Sequence, residues 1–404
     1  MKSFGFELIV AGGGLTAARA IKSYRNAGGE GRIALLTEEA TLPYHRPALS
    51  KRYLRGESSE TPHVEDAAFY RDHDVEVLLE TAVIGLDLRA RTVTAGETLR
   101  YGKLLLATGA RPRRLSVPGV ELEGVFSLRT VGDSAAIRLA AQTAERAVVI
   151  GGGFIGMEVA ASLRQLGLQV TLVHMGSGLF DQLGSSELSE QLASLYSDQG
   201  VDVLLEEEVA AFGGDARLAY VEAKTGLCVE ADLAVVGVGV VPNVDFLAGS
   251  GLVCDNGVVV NRRFETNVPG VYAAGDVANF YDPLYERRRR IEHWSNANYQ
   301  GTEVGRILAG QGGGYDTVSS FFTEIFGISL KVFGDVSRFD AYASEGSLAE
   351  SDFVAFYGQS RRLTAALTVG QSETSEDRLQ DLIAERAPFA LGQIRERQLA
   401  GNGS

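Results

Sequence analysis

The chain carries two glycine-rich turns of one design, Gly12-Gly13-Gly14-Leu15-Thr16-Ala17 and Gly151-Gly152-Gly153-Phe154-Ile155-Gly156. Glycine there lets the backbone approach a pyrophosphate, and the N–H groups opening the next helix bind its charge. One such turn is a weak signal; two predict two dinucleotide sites and electron traffic between two cofactors. Each site should be completed by an acid about 20 residues further on, where a carboxylate accepts hydrogen bonds from an adenosine ribose. Glu38 and Glu39 stand there in the first site, whereas the second has His174. The two sites are therefore not equivalent. Cys228 and Cys254 are the only cysteines and lack Cys-x-x-Cys spacing, so no local redox dithiol is available.

Strands and helices must hold these residues in place. Apolar runs at Phe6–Ala11 and 147–150 lead into the turns, and apolar-periodic segments at 15–21 and 154–166 leave them, the strand, turn and helix context the fingerprint demands. Further strands are expected over 32–36, Gln169–Val173, 201–205 and Leu233–Val236, with a helix over 186–199. Strand-like runs at 257–260 and 270–274, then Gly275-Asp276 and a helical segment after His293, bring the first domain back late in the chain. The expected fold is α/β: two Rossmann-like dinucleotide-binding domains, the second inserted in the first, plus a small α+β C-terminal domain. The expected bounds are 1–112 with 246–316 for the first, 113–245 for the second and 317–404 for the third. Gly310-Gln311-Gly312-Gly313-Gly314 is the clearest linker. Beyond it, strands are expected near 330–333, 353–357 and 363–369, and a charged helix near 375–386.

Composition narrows the function class. At 404 residues and 45% hydrophobic content there is material for two or three packed domains, and 48 glycines against 9 prolines fit many βα turns rather than disorder. A net charge of −14 argues against broad affinity for nucleic acid or an anionic membrane. The apolar stretches fall short of a membrane span: 233–241 stops at Pro242, and 148–159 contains Glu158. Phe6–Ala11 is interrupted by Glu7 and runs straight into the glycine turn, unlike a signal-peptide core, so a cytoplasmic protein is expected. His45, His63, His73, His174 and His293 show no ligand spacing, and no metal site is expected.

Beside the two turns stand Leu42-Pro43-Tyr44-His45-Arg46-Pro47-Ala48-Leu49-Ser50-Lys51, Ala107-Thr108-Gly109, Gly237-Val238-Gly239-Val240-Val241-Pro242-Asn243 and Tyr272-Ala273-Ala274-Gly275-Asp276. With these motifs, spread over nearly its whole length, the chain resembles the FAD-dependent ferredoxin-reductase-like family, which includes reductases of bacterial oxygenase systems and apoptosis-inducing-factor-like flavoproteins. The Pro-Tyr-x-Arg-Pro-x-Leu-Ser-Lys segment is the specific one, since dithiol reductases carry a cysteine in that region. The resemblance implies FAD on the first turn, NADH (or NADPH) on the second, and electron transfer to a small protein carrier, foremost a [2Fe-2S] ferredoxin of an oxygenase system. A rubredoxin, quinone or monodehydroascorbate reductase on the same scaffold, or an apoptosis-inducing-factor-like redox-responsive protein, is the alternative.

It also implies residue roles. Lys51 would set an ammonium near N5 of the flavin, where a positive charge favours the reduced form, and Glu158 would face the nicotinamide and pair with Lys51. Gly12, Gly14, Ala17, Glu38, Glu39, Arg46, Val83, Arg113, Asp276, His293, Trp294 and Phe322 are implied on the FAD side. Gly151, Gly153, Gly156, His174 and Gly239 are implied on the nicotinamide nucleotide side. Asp276 is read as following a strand and opening a helix, and Glu158 as lying in the first turn of its helix. Many relatives carry tryptophan where Phe322 precedes Thr323-Glu324-Ile325-Phe326. His174 supplies neither the acid that repels a 2′-phosphate nor a permanent cation, so modest discrimination leaning to NADH is expected. The run Arg287-Arg288-Arg289-Arg290 could dock an acidic iron–sulfur protein or merely guard a solvated strand edge.

Overall fold

The computed structural model describes residues 5–399; the outermost residues of the expected first and third domains lie outside that range. The chain forms two compact units. One comprises residues up to 45, 62–111 and 240–317, the other 46–61, 112–239 and 318 onward.

In the first unit, Val75–Leu78, Ile33–Leu36, Phe6–Ala11 and Glu97–Leu106 lie side by side in that order, all parallel, and Val271–Ala273 adds in parallel to Glu97–Leu106. Parallel strands sit between covering layers and so read as continuous apolar runs, which is the case for Leu8, Ile9, Val10 and Leu104, Leu105, Leu106, all fully buried. The register sets Ala11 against both Leu36 and Leu106, so the strand ends that carry the glycine turn and the acid pair are level. Helix Leu15–Asn26 packs on helix Trp294–Leu308 at close range. Gly301 permits this, since a Cβ there would meet Thr16 O at 2.6 Å.

The second unit repeats the plan. Val201–Leu204, Gln169–Val173, Arg146–Ile150, Leu233–Val236 and Val125–Ser127 form a parallel sheet in that order, with Ile150 level with Val173 and Val236. Helix Phe154–Gln165 follows the glycine turn, and helix Ser186–Asp198 lies further on. The same unit holds a five-stranded antiparallel sheet. Its order is Ser320–Ile325, Ile328–Gly334, Arg362–Val369, Asp352–Gln359, Ala341–Ser347, followed in sequence by helix Glu373–Ala384. The strands Ser320–Ile325 and Ala341–Ser347 were not expected from sequence, because the first carries Ser, Thr and Glu and the second Ser, Glu and Gly. Among the described residues no helix is long and apolar enough to cross a membrane.

Candidate functional site

The first turn fits a dinucleotide. Gly12 has φ of 117° and lies so close to Ala107 O that no Cβ could be placed there. Gly14 is the N-cap of helix Leu15–Asn26, makes no side-chain cap bond, and a Cβ on it would meet nothing within 4 Å. The helix N–H groups therefore have no capping side chain, and the space over Gly14 is open, as a bound pyrophosphate requires. Ala17 is fully buried, in the place where a small residue lets helix and strand approach.

Around this turn the expected residues divide. Glu38 is exposed beyond the end of Ile33–Leu36, whereas the Glu39 carboxylate accepts the Tyr44 hydroxyl at 2.6 Å. Val83 packs on the core of the same unit. Asp276 does not open a helix: after Val271–Ala273 the chain makes a tight turn at Gly275, φ 79°, and enters strand Ala278–Asp282. The helix begins only at Trp294, with His293 as N-cap and no side-chain cap bond. The Trp294 indole N–H donates to His45 Nδ1 at 3.1 Å, a partner that sequence spacing did not reveal. Burial pushes the His293 imidazole down to about 4, so the ring is neutral at physiological pH.

The second turn has the same construction. Gly151 has φ of 114°, Gly153 caps helix Phe154–Gln165 without a side-chain bond, and Gly156 lies against Gly151 O with no room for a Cβ. His174 sits at the end of Gln169–Val173, where its Nδ1 accepts the Gly152 N–H at 3.1 Å. Gly239, φ 91°, accepts the Arg113 backbone N–H at 2.9 Å, and the Arg113 side chain is exposed.

Lys51 and Glu158 meet. Lys51 Nζ lies 2.7 Å from Glu158 Oε2, and both side chains are buried. Glu158 lies beyond the first turn of its helix, because the helix starts at Phe154. The helix dipole acts within the first turn, so it is the local partners that hold this carboxylate. They are Lys51, the Ser50 hydroxyl on Oε2, and the Thr323 hydroxyl on Oε1 at 2.7 Å. Sequence reasoning assigned no role to Ser50 or Thr323, since Thr323 comes from a strand 165 residues away. Lys51 also donates to Pro47 O at 3.1 Å. Arg46 opens the short helix Arg46–Ala48 and donates to Arg129 O at 2.7 Å. Phe322, next to Thr323 on the same strand, is 45% exposed.

The arginine run is not a free basic patch. Arg287–Arg289 is an edge strand, antiparallel to Ala278–Asp282. Arg289 pairs at 2.7 Å with Asp282, a carboxylate with no exposed surface, and Arg290 pairs with Glu292. Arg288 donates to the Val260 and Asn279 carbonyls at 2.6 and 3.1 Å. The charges expected to steer a partner are largely committed to the fold around them. Cys228 and Cys254 are each exposed free thiols.

Residues 6–301 match the family described as pyridine nucleotide-disulphide oxidoreductase. The chain is 34% identical to the benzene 1,2-dioxygenase system ferredoxin–NAD(+) reductase subunit of Pseudomonas putida, covering 90% of this chain and 89% of that protein. It is 35% identical to apoptosis-inducing factor 3 of Homo sapiens, over 90% of this chain and 60% of that longer protein. Its fold superposes on the crystal structure of the covalent putidaredoxin reductase–putidaredoxin complex with a TM-score of 0.93, at 30% identity and full coverage of both chains. With two glycine turns on parallel sheets and these similarities, the chain belongs to the pyridine nucleotide-disulphide oxidoreductase family.

Proposed function

We propose that this protein is an FAD-dependent reductase that takes a hydride from NADH and delivers electrons singly to a small iron–sulfur carrier, a [2Fe-2S] ferredoxin of an oxygenase system. The observation that carries this is the buried Lys51–Glu158 pair, whose Glu158 sits on the helix that leaves the second nucleotide turn. The 34% identity with an oxygenase-coupled ferredoxin reductase supports the choice of acceptor. FAD, when bound, supplies the conversion between a two-electron donor and one-electron acceptors.

The chain's own residues have the following parts. The uncapped N–H groups after Gly14 and Gly153 bind the two pyrophosphates, Glu38 reads the FAD ribose, and Arg46 and Asp276 hold the flavin end. Lys51 would offer its ammonium to the negative charge of a reduced flavin, and Glu158, fixed by Ser50 and Thr323, holds that side chain in position. Phe322, 45% exposed, would be the aromatic side chain toward the flavin where many relatives carry tryptophan. We assign residues 1–112 and 246–316 to the FAD-binding domain, 113–245 to the nucleotide-binding domain and 317–404 to the third, in a cytoplasmic protein.

The test is anaerobic. Enzyme reduced by one equivalent of NADH is mixed with oxidised [2Fe-2S] ferredoxin in a stopped-flow instrument, and the cluster should be reduced within the turnover time. If no ferredoxin or rubredoxin is reduced quickly while NADH forms a long-lived complex, the similarity to apoptosis-inducing factor 3 becomes the better guide, and the protein is a redox-responsive binding module.

A further inference from the structure

The loop after Gln169–Val173 folds back onto the glycine turn it faces. Phe180 donates its N–H to Gly152 O at 2.9 Å and takes a left-handed φ of 51°, which reverses the chain into the short helix Asp181–Leu183. Gly152 in turn donates to His174 Nδ1, so that nitrogen is an acceptor and the ring proton belongs on Nε2. His174 Nε2 lies 3.3 Å from Asp181 Oδ2. The fit around the pair is tight: a Cβ on Gly176 would sit 2.6 Å from His174 Nε2 and closer still to Asp181, and one on Gly152 would sit 2.8 Å from the His174 ring. The Asp181 side chain nevertheless remains 46% exposed.

We propose that Asp181, oriented by His174, is the carboxylate that reads the adenosine ribose of the nicotinamide nucleotide and makes the protein select NADH over NADPH. This rests on the reading that the turn at 151–156 binds that nucleotide. In this fold the ribose lies beside the glycine turn at the end of the next strand, and an acid there accepts the 2′-hydroxyl. The residue at the strand end is a histidine whose Nδ1 is already used, so it offers the ribose no acceptor and passes its Nε2–H to Asp181. The Nδ1 that accepts from Gly152 presents no donor to a 2′-phosphate. Residues 175–180 contain no lysine or arginine to reward one either. A 2′-phosphate would instead meet the Asp181 charge. His174 is a positioning residue; Asp181 is the group that touches the ligand.

Calorimetric titration of the FAD-loaded protein with ADP-ribose and with 2′-phospho-ADP-ribose tests this without turnover. The wild type should favour ADP-ribose by at least about tenfold. Asp181→Asn should cut that ratio about tenfold or more, largely by tighter binding of the 2′-phosphorylated ligand, with FAD content unchanged. His174→Leu should also lower the ratio, because the carboxylate loses its anchor. A ratio in Asp181→Asn equal to the wild type, or a wild type with equal affinities, overturns the proposal while leaving the nucleotide site in place. A wild type that binds neither ligand overturns the site assignment and the proposal with it.

Discussion

Glu158 divides its two carboxylate oxygens between Lys51, 2.7 Å from Oε2, and Thr323, 2.7 Å from Oε1, so one buried charge ties together three distant stretches of sequence. Burying both ions is expensive in desolvation, and such a pair is sustained only when its remaining hydrogen-bonding capacity is met. Here the Ser50 hydroxyl and the Thr323 hydroxyl meet it on the carboxylate, and Pro47 O meets it on the ammonium. That arrangement fixes the lysine side chain in place.

Lys51→Met should therefore slow flavin reduction by NADH by about tenfold to a hundredfold in stopped-flow measurement, with FAD still bound, since the side-chain volume is largely kept. Thr323→Val should leave Glu158 Oε1 buried without a donor. It is expected to lower unfolding free energy by about 1–3 kcal/mol and to slow reduction less than Lys51→Met does. Reduction rates unchanged in both variants would make the cluster purely structural.

The parts of this arrangement legible in sequence were those fixed by local pattern. The glycine turns were readable because Gly12, Gly151 and Gly156 leave no room for a Cβ, and the strand Arg146–Ile150 because a buried parallel strand reads as an apolar run. Thr323 and Asp181 were not readable. The first reaches Glu158 from a strand 165 residues further along the chain, and the second depends on a reversal at Phe180 that leaves no spacing signal. Asp276 was misplaced at a helix start because Gly275-Asp276 resembles a cap, whereas the chain there turns directly into Ala278–Asp282. The four arginines were legible as either a docking patch or a guarded strand edge; the edge strand is what forms, and sequence could not show that Asp282 is wholly buried beside Arg289.

The two glycine turns can be tested separately. The wild type should be yellow and release FAD on denaturation. A Cβ on Gly14 meets no protein atom within 4 Å, so Gly14→Ala should fold with a melting temperature close to that of the wild-type apoprotein. It should nevertheless retain FAD poorly, because the methyl group projects into space the pyrophosphate uses. Gly156→Ala instead meets Gly151 O and should distort the second turn, weakening ADP-ribose binding while FAD content stays normal. Absorbance at the flavin band and calorimetry read the two outcomes. FAD retained at wild-type strength by Gly14→Ala would move its site elsewhere.

His293 should make stability sensitive to acid. Burial holds its imidazole at about 4, below the ordinary 6.5 of an unfolded chain. Between those values the unfolded chain binds the proton and the folded chain does not, so the stability present above pH 6.5 is lost as pH falls towards 4. Melting curves across that window should fall less steeply for His293→Gln than for the wild type, with carboxylate titration common to both. Parallel slopes would show that His293 titrates normally in the folded protein.

The edge strand Arg287–Arg289 offers the sharpest contrast between structural and docking roles. Arg289 balances Asp282, whose carboxyl is pushed upward by burial and held down by the arginine beside it. Arg289→Gln leaves that carboxylate uncompensated and should cost about 3–5 kcal/mol of unfolding free energy by denaturant titration. Arg288 is exposed, and its guanidinium donates to backbone carbonyls, so Arg288→Ser should cost far less. If the run is a brace for this edge, Arg288→Ser will keep kcat/KM for an acidic ferredoxin within about twofold of wild type, with an unchanged dependence on salt. A variant of wild-type stability whose ferredoxin reduction is much slower and less sensitive to salt would show the opposite. The strand edge would then steer the carrier, and Arg288 would be the charge that does so.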